Sequence, residues 1–231
     1  MFVDESKSLL EILTAPGASS PEAPVLTLPN VTLFPQELLP LYIFEPQNRR
    51  MLAQVLASHR MFVVAMQRTA SRPAPASVAG LGLVRVCVEN PDGTSHLILQ
   101  GVARVELTEA IRTRPYRVYG LRALPSPTAD GAAVEALLAR VRDLVSQRID
   151  LELPQNLPAL KLKGKSKQTI MAYLKDLNNP DEMIDLVSSF LITGAAERQT
   201  ILETVDPEPR LLHLIRFLLR EINLHRKKDK L

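Results

Sequence analysis

The eight residues ALKLKGKS (159–166) come closest in this sequence to a motif with defined chemistry. A small residue, four variable positions and Gly-Lys-Ser form the loop that holds the phosphates of ATP or GTP in many hydrolases. In such a loop the backbone N–H groups surround the phosphate at the start of a helix, and the lysine reaches toward the transferred group. The first question is whether this segment predicts a nucleotide-binding enzyme.

The surrounding residues argue against a nucleotide site. A phosphate loop follows a buried strand, but Pro154 and Pro158 occupy the positions where that strand would lie. The loop itself, residues 160–163, contains no glycine, so its side chains would obstruct a tight wrap around a phosphate. The residues that follow have a helical pattern and offer no acidic strand to hold magnesium. We therefore interpret the segment as a basic loop in which Ser166 caps the next helix, and we expect no nucleotide cofactor.

Other residues with catalytic or metal-binding potential are scattered along the chain. The histidines His59, His96, His213 and His225 have neither H-x-x-x-H nor H-E-x-x-H spacing, and no serine lies in a G-x-S-x-G turn. Cys87 lies in the apolar run LVRVCVE, which predicts a buried strand thiol. We therefore predict no catalytic, cofactor-binding or metal-binding residues, and a protein that is not an enzyme.

Composition and charge narrow the class of partner. The 231 residues are 46% hydrophobic, which is sufficient for a globular core, and the net charge is only +3. There is no tryptophan, and basic residues cluster only in HRKKDK near the C-terminus, which does not favour nucleic-acid binding. No run approaches the roughly 20 apolar residues of a membrane span. The acidic start MFVDESKSLLEIL does not fit a signal peptide, so we expect a cytoplasmic protein.

The pattern of apolar residues divides the chain into three parts. Residues 1–24 are predicted to form a flexible tail, because TAPGASSPEAP is too rich in proline and small residues to pack. Residues 25–125 contain short β-branched runs, beginning with VLTLPNVTLF (25–34), and NPDGT (90–94) is a turn between two hairpin strands. One helix, starting at Pro46, interrupts this part. Residues 132–231 show helical spacing, and Asn179-Pro180-Asp181-Glu182 predicts one helix start, with a cap, a proline and acidic residues in the first turn. The predicted fold class is therefore α+β.

A family resemblance covers nearly the whole chain, from about residue 25 to residue 222. The stretch LTLPNVTLFPQELLPLYIFEPQNRRML (26–52) resembles the opening of the Lon protease N-terminal domain, the LON substrate-binding domain family. The motifs LFP, LPL and IFEP carry the match, together with Arg49 and Met51. Later matches are GLGLVRV, LILQGVARVEL and ERQTILETVDPEPRLLHLIRFLLREI. The chain departs from the family pattern at Gln36, where glycine is usual, and at Gln47 and Asn48, which replace an aromatic–arginine pair.

The resemblance implies a fold and a function. The implied fold is a small β pseudo-barrel with one inserted helix, followed by an all-α helical bundle. In the protease this region is implicated in recognising protein substrates and in assembly. The resemblance is to short members that consist of this domain alone, without the ATPase and peptidase domains.

The segment around Glu45 has two interpretations. In the first, Pro46 presets a helix, Glu45 complements its dipole and Phe44 packs beneath it. In the second, the residues around this point line a groove for extended polypeptide. The candidate groove residues are Leu41, Tyr42, Phe44, Glu45, Pro46 and Arg49.

Three functional hypotheses follow. The first is a non-catalytic module that binds unfolded or extended protein segments, with a protease or chaperone as a further partner. The second is an accessory component of ATP-dependent Lon-type proteolysis. The third is an oligomerisation or adaptor domain, because the last predicted helix is apolar on more than half of its circumference and can pack either inside its own bundle or against a second copy.

Overall fold

A computed structural model describes residues 21–68, 74–128, 131–151, 167–177 and 179–228. It contains six strands and six helices in these ranges, so the α+β class predicted from the sequence is confirmed. The strands are β1 (Glu22–Leu28), β2 (Leu38–Ile43), β3 (Met61–Met66), β4 (Val78–Glu89), β5 (Ser95–Arg112) and β6 (Arg117–Ala123). The helices are α1 (Pro46–Leu56), α2 (Ala132–Leu151), α3 (Lys167–Asp176), α4 (Pro180–Leu191), α5 (Ala195–Glu203) and α6 (Pro207–Lys228).

All six strands belong to one sheet, which is organised around the long strand β5. One edge of β5 pairs with β4, while the other edge pairs with β2 in its first half and with β6 in its second half. Strand β4 continues to β3, β3 pairs with β1 in parallel, and β1 pairs with β6. Strands β5, β4, β3, β1 and β6 therefore close into a ring, and β2 extends the sheet beside the first half of β5. The predicted hairpin at residues 90–94 joins β4 to β5.

Three details of the β part differ from the sequence prediction. Strand β1 begins at Glu22 and pairs Glu22, Ala23 and Pro24 with β6, so the predicted tail does not extend to Pro24. The predicted strand over residues 25–34 is too long, because the chain leaves the sheet after Leu28. Residues 38–43 form strand β2, which the sequence did not reveal because Pro40 opposes a strand interior; as an edge strand, β2 tolerates it.

The segment between β1 and β2 crosses the sheet in very close contact with two glycines. A Cβ at Gly80 would lie 2.1 Å from the carbonyl oxygen of Leu33, and one at Gly101 would lie 1.9 Å from that of Phe34. Both Leu33 and Phe34 are completely buried. Two hydrogen bonds fix the crossing: the N–H of Gln36 donates to the carbonyl oxygen of Gly101, and the N–H of Gly101 donates to that of Glu37, each at 2.8 Å. Only a residue without a side chain permits this approach.

The described residues from Ser126 onward form a second compact unit, which contains helices α2 to α6. Helix α6 packs along α2 and also contacts α4 and α5, and α3 packs against α2. The predicted start of α4 is confirmed, because the side chain of Asn179 accepts a hydrogen bond of 2.9 Å from the N–H of Asp181 and Pro180 occupies the first turn. In α6 the buried side chains include Leu211, Leu214, Leu218 and Ile222.

A buried arginine links these helices. Arg210 in α6 is completely inaccessible to solvent. Its Nη2 donates to the carboxylate of Asp181 and, at 3.2 Å, to the hydroxyl of Ser126, while its Nη1 lies 4.0 Å from Oδ1 of Asp185. Removing one partner of a buried ion pair leaves an uncompensated charge, which is costly.

Replacing Gly101 with alanine is expected to destabilise the first unit by about 2 kcal/mol or more, because the new Cβ meets backbone that cannot move without disrupting the start of β2. Urea unfolding followed by far-UV circular dichroism measures the change. Gly120→Ala is the matched control: its Cβ would meet the hydroxyl of Thr108, an exposed side chain that can rotate. Equal losses in the two variants would contradict the prediction.

Arg210→Met is expected to lower the stability of the second unit by about 3 kcal/mol, since the buried carboxylate of Asp185 loses its counter-charge. The same unfolding measurement tests it. Adding Asp185→Asn to this variant should recover part of the loss, because the buried negative charge that faced Arg210 is then absent. A single variant as stable as the parent would show that the ion pair contributes nothing.

Candidate functional site

An exposed apolar surface covers the part of the sheet where β2, β5 and the second half of β4 lie side by side. The register places Tyr42 beside His96 and His96 beside Val88, and in the next row it places Pro40 beside Ile98 and Ile98 beside Val86. Phe44 follows the end of β2 on the same side. We call this surface the outer face; it consists of Pro40, Tyr42, Phe44, Val86, Val88, His96 and Ile98.

The outer face is apolar and open to solvent. Tyr42, Phe44, Val86 and Val88 are 48%, 58%, 51% and 57% exposed. These four side chains are among the most exposed large apolar groups in the described part of the chain, and they occupy one surface. An antiparallel sheet with one solvated face normally carries polar residues there, so an apolar outer face marks a surface for contact with another molecule.

The aromatic side chains of the outer face are arranged against one another. The ring of Tyr42 lies 4.6 Å from that of His96 and 5.8 Å from that of Phe44, with interplanar angles of 29° and 25°. Beside them runs a shallow groove of about 440 Å³. Its lining consists of Pro40, Leu41, Tyr42, Val86, Val88, His96, Leu97 and Ile98. Such rings offer large contact areas with few rotatable bonds.

A β-bulge in β4 brings the valines to the outer face. Val84 pairs with Leu99 and Val86 pairs with Ile98, so Arg85 is an extra residue that has no register partner in the backbone of β5. Val84 is buried and Val86 is exposed, whereas strict alternation would place both on one side. The bulge therefore reverses the side to which Val86 and Val88 point. Such an irregularity is common where a sheet must redirect a side chain next to a binding site.

The reversal also changes the environment of Cys87. This residue is half-buried and packs against the core cluster on the inner side of the sheet, so the predicted buried thiol is only partly enclosed. On β2 the inner residues Leu39, Leu41 and Ile43 face the same cluster. Both sides of this sheet region are thus apolar, and only the inner side is covered by the core of the unit.

The structure brings together only part of the predicted groove. Tyr42 and Phe44 lie on the outer face, and Leu41 borders the groove while it packs against the core on the other side. The expectation that Phe44 packs beneath the helix is wrong, because Phe44 is mostly exposed. His96, Ile98, Val86 and Val88 were not predicted as site residues. The sequence signal for them is the run HLIL (96–99), in which Leu97, Ile98 and Leu99 are consecutive apolar residues. Consecutive strand residues point to opposite faces, so this run predicts apolar side chains on both faces of β5.

Glu45, Pro46 and Arg49 belong to the start of α1. Glu45 is the N-cap residue, but its carboxylate accepts hydrogen bonds from the side chains of Asn48 at 2.8 Å and Gln47 at 3.1 Å rather than from the backbone. Pro46 occupies the first turn, as predicted. The guanidinium of Arg49 covers Gly93 in the β4–β5 turn so closely that a Cβ there would lie 1.9 Å from Nη2.

That turn carries a perturbed carboxyl group. The hydroxyl of Thr94 donates to Asp92 at 2.7 Å and the N–H of Thr94 donates to the same oxygen at 2.9 Å. These two bonds, with a smaller contribution from the charge of Arg49, lower the pKa of Asp92 below its usual value. Arg49 therefore packs over the hairpin turn, and its positive charge favours the ionised carboxylate of Asp92.

The chemistry available to the outer face is burial of apolar and aromatic groups. Within the described ranges, no group of three or more His, Cys, Asp or Glu side chains could hold a metal ion. None of the helices in the described part of the chain is long and apolar enough to cross a membrane. The phosphate-loop-like segment 159–166 and its proposed cap Ser166 lie outside the described residues.

Comparison with known proteins identifies the family of this chain. The family model of the ATP-dependent protease La (LON) substrate-binding domain matches residues 22–220. The Lon protease of Phenylobacterium zucineum is 31% identical over 220 residues, which cover 92% of this chain and 26% of that protein. The Lon protease of Desulfovibrio desulfuricans is 29% identical over 219 residues, covering 92% of this chain and 24% of that protein. The chain thus spans about a quarter of the length of the curated relatives it matches.

Solved structures agree with the sequence matches on the fold. The N-terminal domain of Mycobacterium avium complex Lon protease aligns with a TM-score of 0.64 at 18% identity, covering 86% of this chain and 98% of that one. The Lon N-terminal domain protein from Xanthomonas campestris aligns with a TM-score of 0.60 at 16% identity, covering 85% and 98%. The resemblance predicted from the LFP, LPL and IFEP motifs is confirmed, and the chain belongs to the ATP-dependent protease La (LON) substrate-binding domain family.

Proposed function

We propose that this protein is a non-catalytic recognition module that binds unfolded or extended protein segments on the outer face. The observation that carries the proposal is the exposed cluster of Tyr42, Phe44, Val86 and Val88 on one face of the sheet. Binding to such a surface is favoured by about 25 cal/mol for each Å² of apolar area that the partner's side chains and the surface remove from water. Unfolded chains expose such side chains, whereas folded proteins enclose most of them.

The family supports the same assignment. Its description names a substrate-binding domain, and the matched relatives are Lon proteases. We infer that the segments bound here are destined for ATP-dependent proteolysis, with this protein as an accessory that recognises them. A protease or chaperone is then the expected further partner.

The organisation of the chain fits a two-part module. We infer that residues 25–125, extended at their start to Glu22, form a β-rich recognition domain and that residues 132–231 form a helical bundle. The contacts of α6 with α2, α4 and α5 support the second assignment. The outer face belongs entirely to the first unit.

Self-association is a second candidate function, and a specific feature of α6 favours it. Leu212 and Leu219 are 53% and 39% exposed and lie seven residues apart, which places them on one side of the helix. The buried leucines of α6 lie on its other sides, so the helix both fills the core of its own unit and presents a short apolar stripe. A second copy of this chain is the partner we infer for that stripe.

The recognition proposal is tested with a fluorescently labelled, reduced and carboxymethylated lactalbumin, which stays unfolded in buffer. Fluorescence anisotropy should show saturable binding to the parent protein. Replacing both Phe44 and Val88 with serine should weaken binding about tenfold or more, because two exposed apolar contacts are lost. Both side chains are exposed, so the free energy of unfolding should change little.

The matched control for that experiment is Ile111→Ser. Ile111 is 49% exposed at the far end of β5, outside the outer face, so binding should be unchanged. An equal loss in the control variant would mean that binding is not local to the outer face. Absence of binding by the parent protein across a panel of unfolded chains would refute the function itself.

Self-association is tested by sedimentation of the parent protein and of a variant with Leu212→Glu and Leu219→Glu. The parent should sediment as a dimer and the variant as a monomer, because two charges would have to be buried at the interface. Leu224→Glu is the control: this leucine is also exposed but lies on a different side of α6. A parent protein that is monomeric at high concentration would contradict this second function.

A further inference from the structure

Three polar side chains form a continuous row across one end of the outer face. The Nε of Arg85, on the β4 bulge, donates to Oε1 of Gln100 on β5 at 2.6 Å. The Nε2 of Gln100 donates to Oε1 of Gln36, just before β2, at 3.0 Å. The row therefore connects the three chain segments that build the outer face, next to the row of Pro40, Ile98 and Val86.

The chemistry of arginine fixes the direction of both hydrogen bonds. An arginine can only donate, so Gln100 must turn its carbonyl oxygen toward Arg85 and its amide nitrogen toward Gln36. Gln36 then accepts through its own oxygen, and its amide nitrogen is directed away from Gln100. The row thus ends in donors on both sides: the terminal nitrogens of Arg85 and the Nε2 of Gln36.

These terminal donors are available to a ligand. Arg85 and Gln36 are exposed, and neither the terminal nitrogens of Arg85 nor the Nε2 of Gln36 has a hydrogen-bond partner within the described ranges. The guanidinium of Arg85 carries a full positive charge and has no acceptor function, so its terminal nitrogens form a site for an anionic oxygen. A planar guanidinium matches the two oxygens of a carboxylate particularly well.

The backbone of Gln36 indicates that its side chain has a use. Gln36 has a φ of +65°, the left-handed region that glycine occupies at no steric cost and other residues occupy rarely. This is the position where the family pattern has glycine. The cost of this backbone conformation is offset by the hydrogen bond between Gln36 and Gln100. That bond orients Gln100 and, through it, Arg85.

From this row we infer that the outer face selects segments in which an acidic side chain follows the apolar ones. This inference rests on the proposed function, since it names the kind of polypeptide that the same surface binds. Four residues of β5 separate Gln100 from His96, a span of roughly 13 Å. An extended segment would therefore place its aspartate or glutamate about four residues from the side chain that contacts Tyr42 and His96.

An acidic side chain, rather than a free C-terminal carboxylate, is the ligand that the geometry favours. Arg85 and Gln36 are both exposed, so the row lies on open surface and a bound chain can continue past it. A carboxylate carried on a side chain can reach the row from a segment anywhere within a protein. The experiment below distinguishes an acidic side chain from a free C-terminal carboxylate as the ligand of Arg85.

The test uses N-acetylated, C-amidated peptides with phenylalanine and valine alternating with serine and one glutamate four residues beyond the phenylalanine. A second peptide carries glutamine instead, and a third carries glutamine but ends in a free carboxylate. Anisotropy with the parent protein should show about fivefold tighter binding of the glutamate peptide, the range expected for a solvent-accessible arginine–carboxylate pair. The preference should decrease as salt increases.

Variants of Arg85 and Gln36 test whether the preference for the glutamate peptide depends on the polar row. Arg85→Gln should bind the glutamate and glutamine peptides equally, and Gln36→Gly should reduce the preference while binding of the glutamine peptide is retained. Arg50→Gln, an exposed arginine of α1 outside the outer face, is the control and should keep the full preference. Arg85→Glu should reverse it, so that a peptide with lysine in place of glutamate binds best.

The outcomes separate this inference from the proposed function. Equal binding of the glutamate and glutamine peptides by the parent protein, with binding still lost in the Phe44 and Val88 double variant, would overturn the acidic preference and leave the recognition function intact. A preference that persists in Arg85→Gln, or that appears only with the free carboxylate, would also overturn it. Failure of every peptide and of the unfolded protein to bind would refute both.

Discussion

The outer face depends on the close approach of a buried backbone segment to glycine in the sheet. The carbonyl oxygen of Phe34 lies over Gly101 and that of Leu33 over Gly80, at separations that a Cβ would make impossible. Gly101 is also hydrogen-bonded through its N–H and its carbonyl oxygen to Glu37 and Gln36. The next residue pair along the chain, Leu38 with Gln100, begins the β2–β5 ladder, so the glycine contact sets the register of β2 and hence the position of Tyr42.

A second constraint, the bulge at Arg85, completes the surface on the other side of β5. Because one extra residue is inserted in β4, Val86 and Val88 point outward while Cys87 turns toward the core. The same insertion directs Arg85 to Gln100. One local irregularity therefore supplies both the apolar side chains and the charge of the candidate site.

The two units differ in the interactions at their cores: the first contains two apolar clusters, and in the second a buried arginine faces carboxylates. The first unit is stabilised by two clusters of buried apolar side chains and by the close crossing of residues 33–34 over the sheet glycines. The second unit places the guanidinium of Arg210 in a solvent-inaccessible position, where it faces the buried Asp185 and the partly exposed Asp181. Buried ion pairs add little net stability compared with apolar packing, but they penalise arrangements in which the partners do not meet.

The sequence by itself determined the α+β class, the inserted helix at Pro46, the turn at residues 90–94, the start of α4 at Asn179 and, through LFP, LPL and IFEP, the family. These features depend on neighbouring residues, and local patterns therefore predict them. Only the tertiary structure decided that Pro40 lies in an edge strand, that Phe44 is exposed, that Val86 and Val88 face outward and that Arg210 is buried. Each of these follows from pairing or packing with residues distant in the chain: a bulge exists only relative to the strand opposite, and a glycine contact only relative to the segment that crosses it.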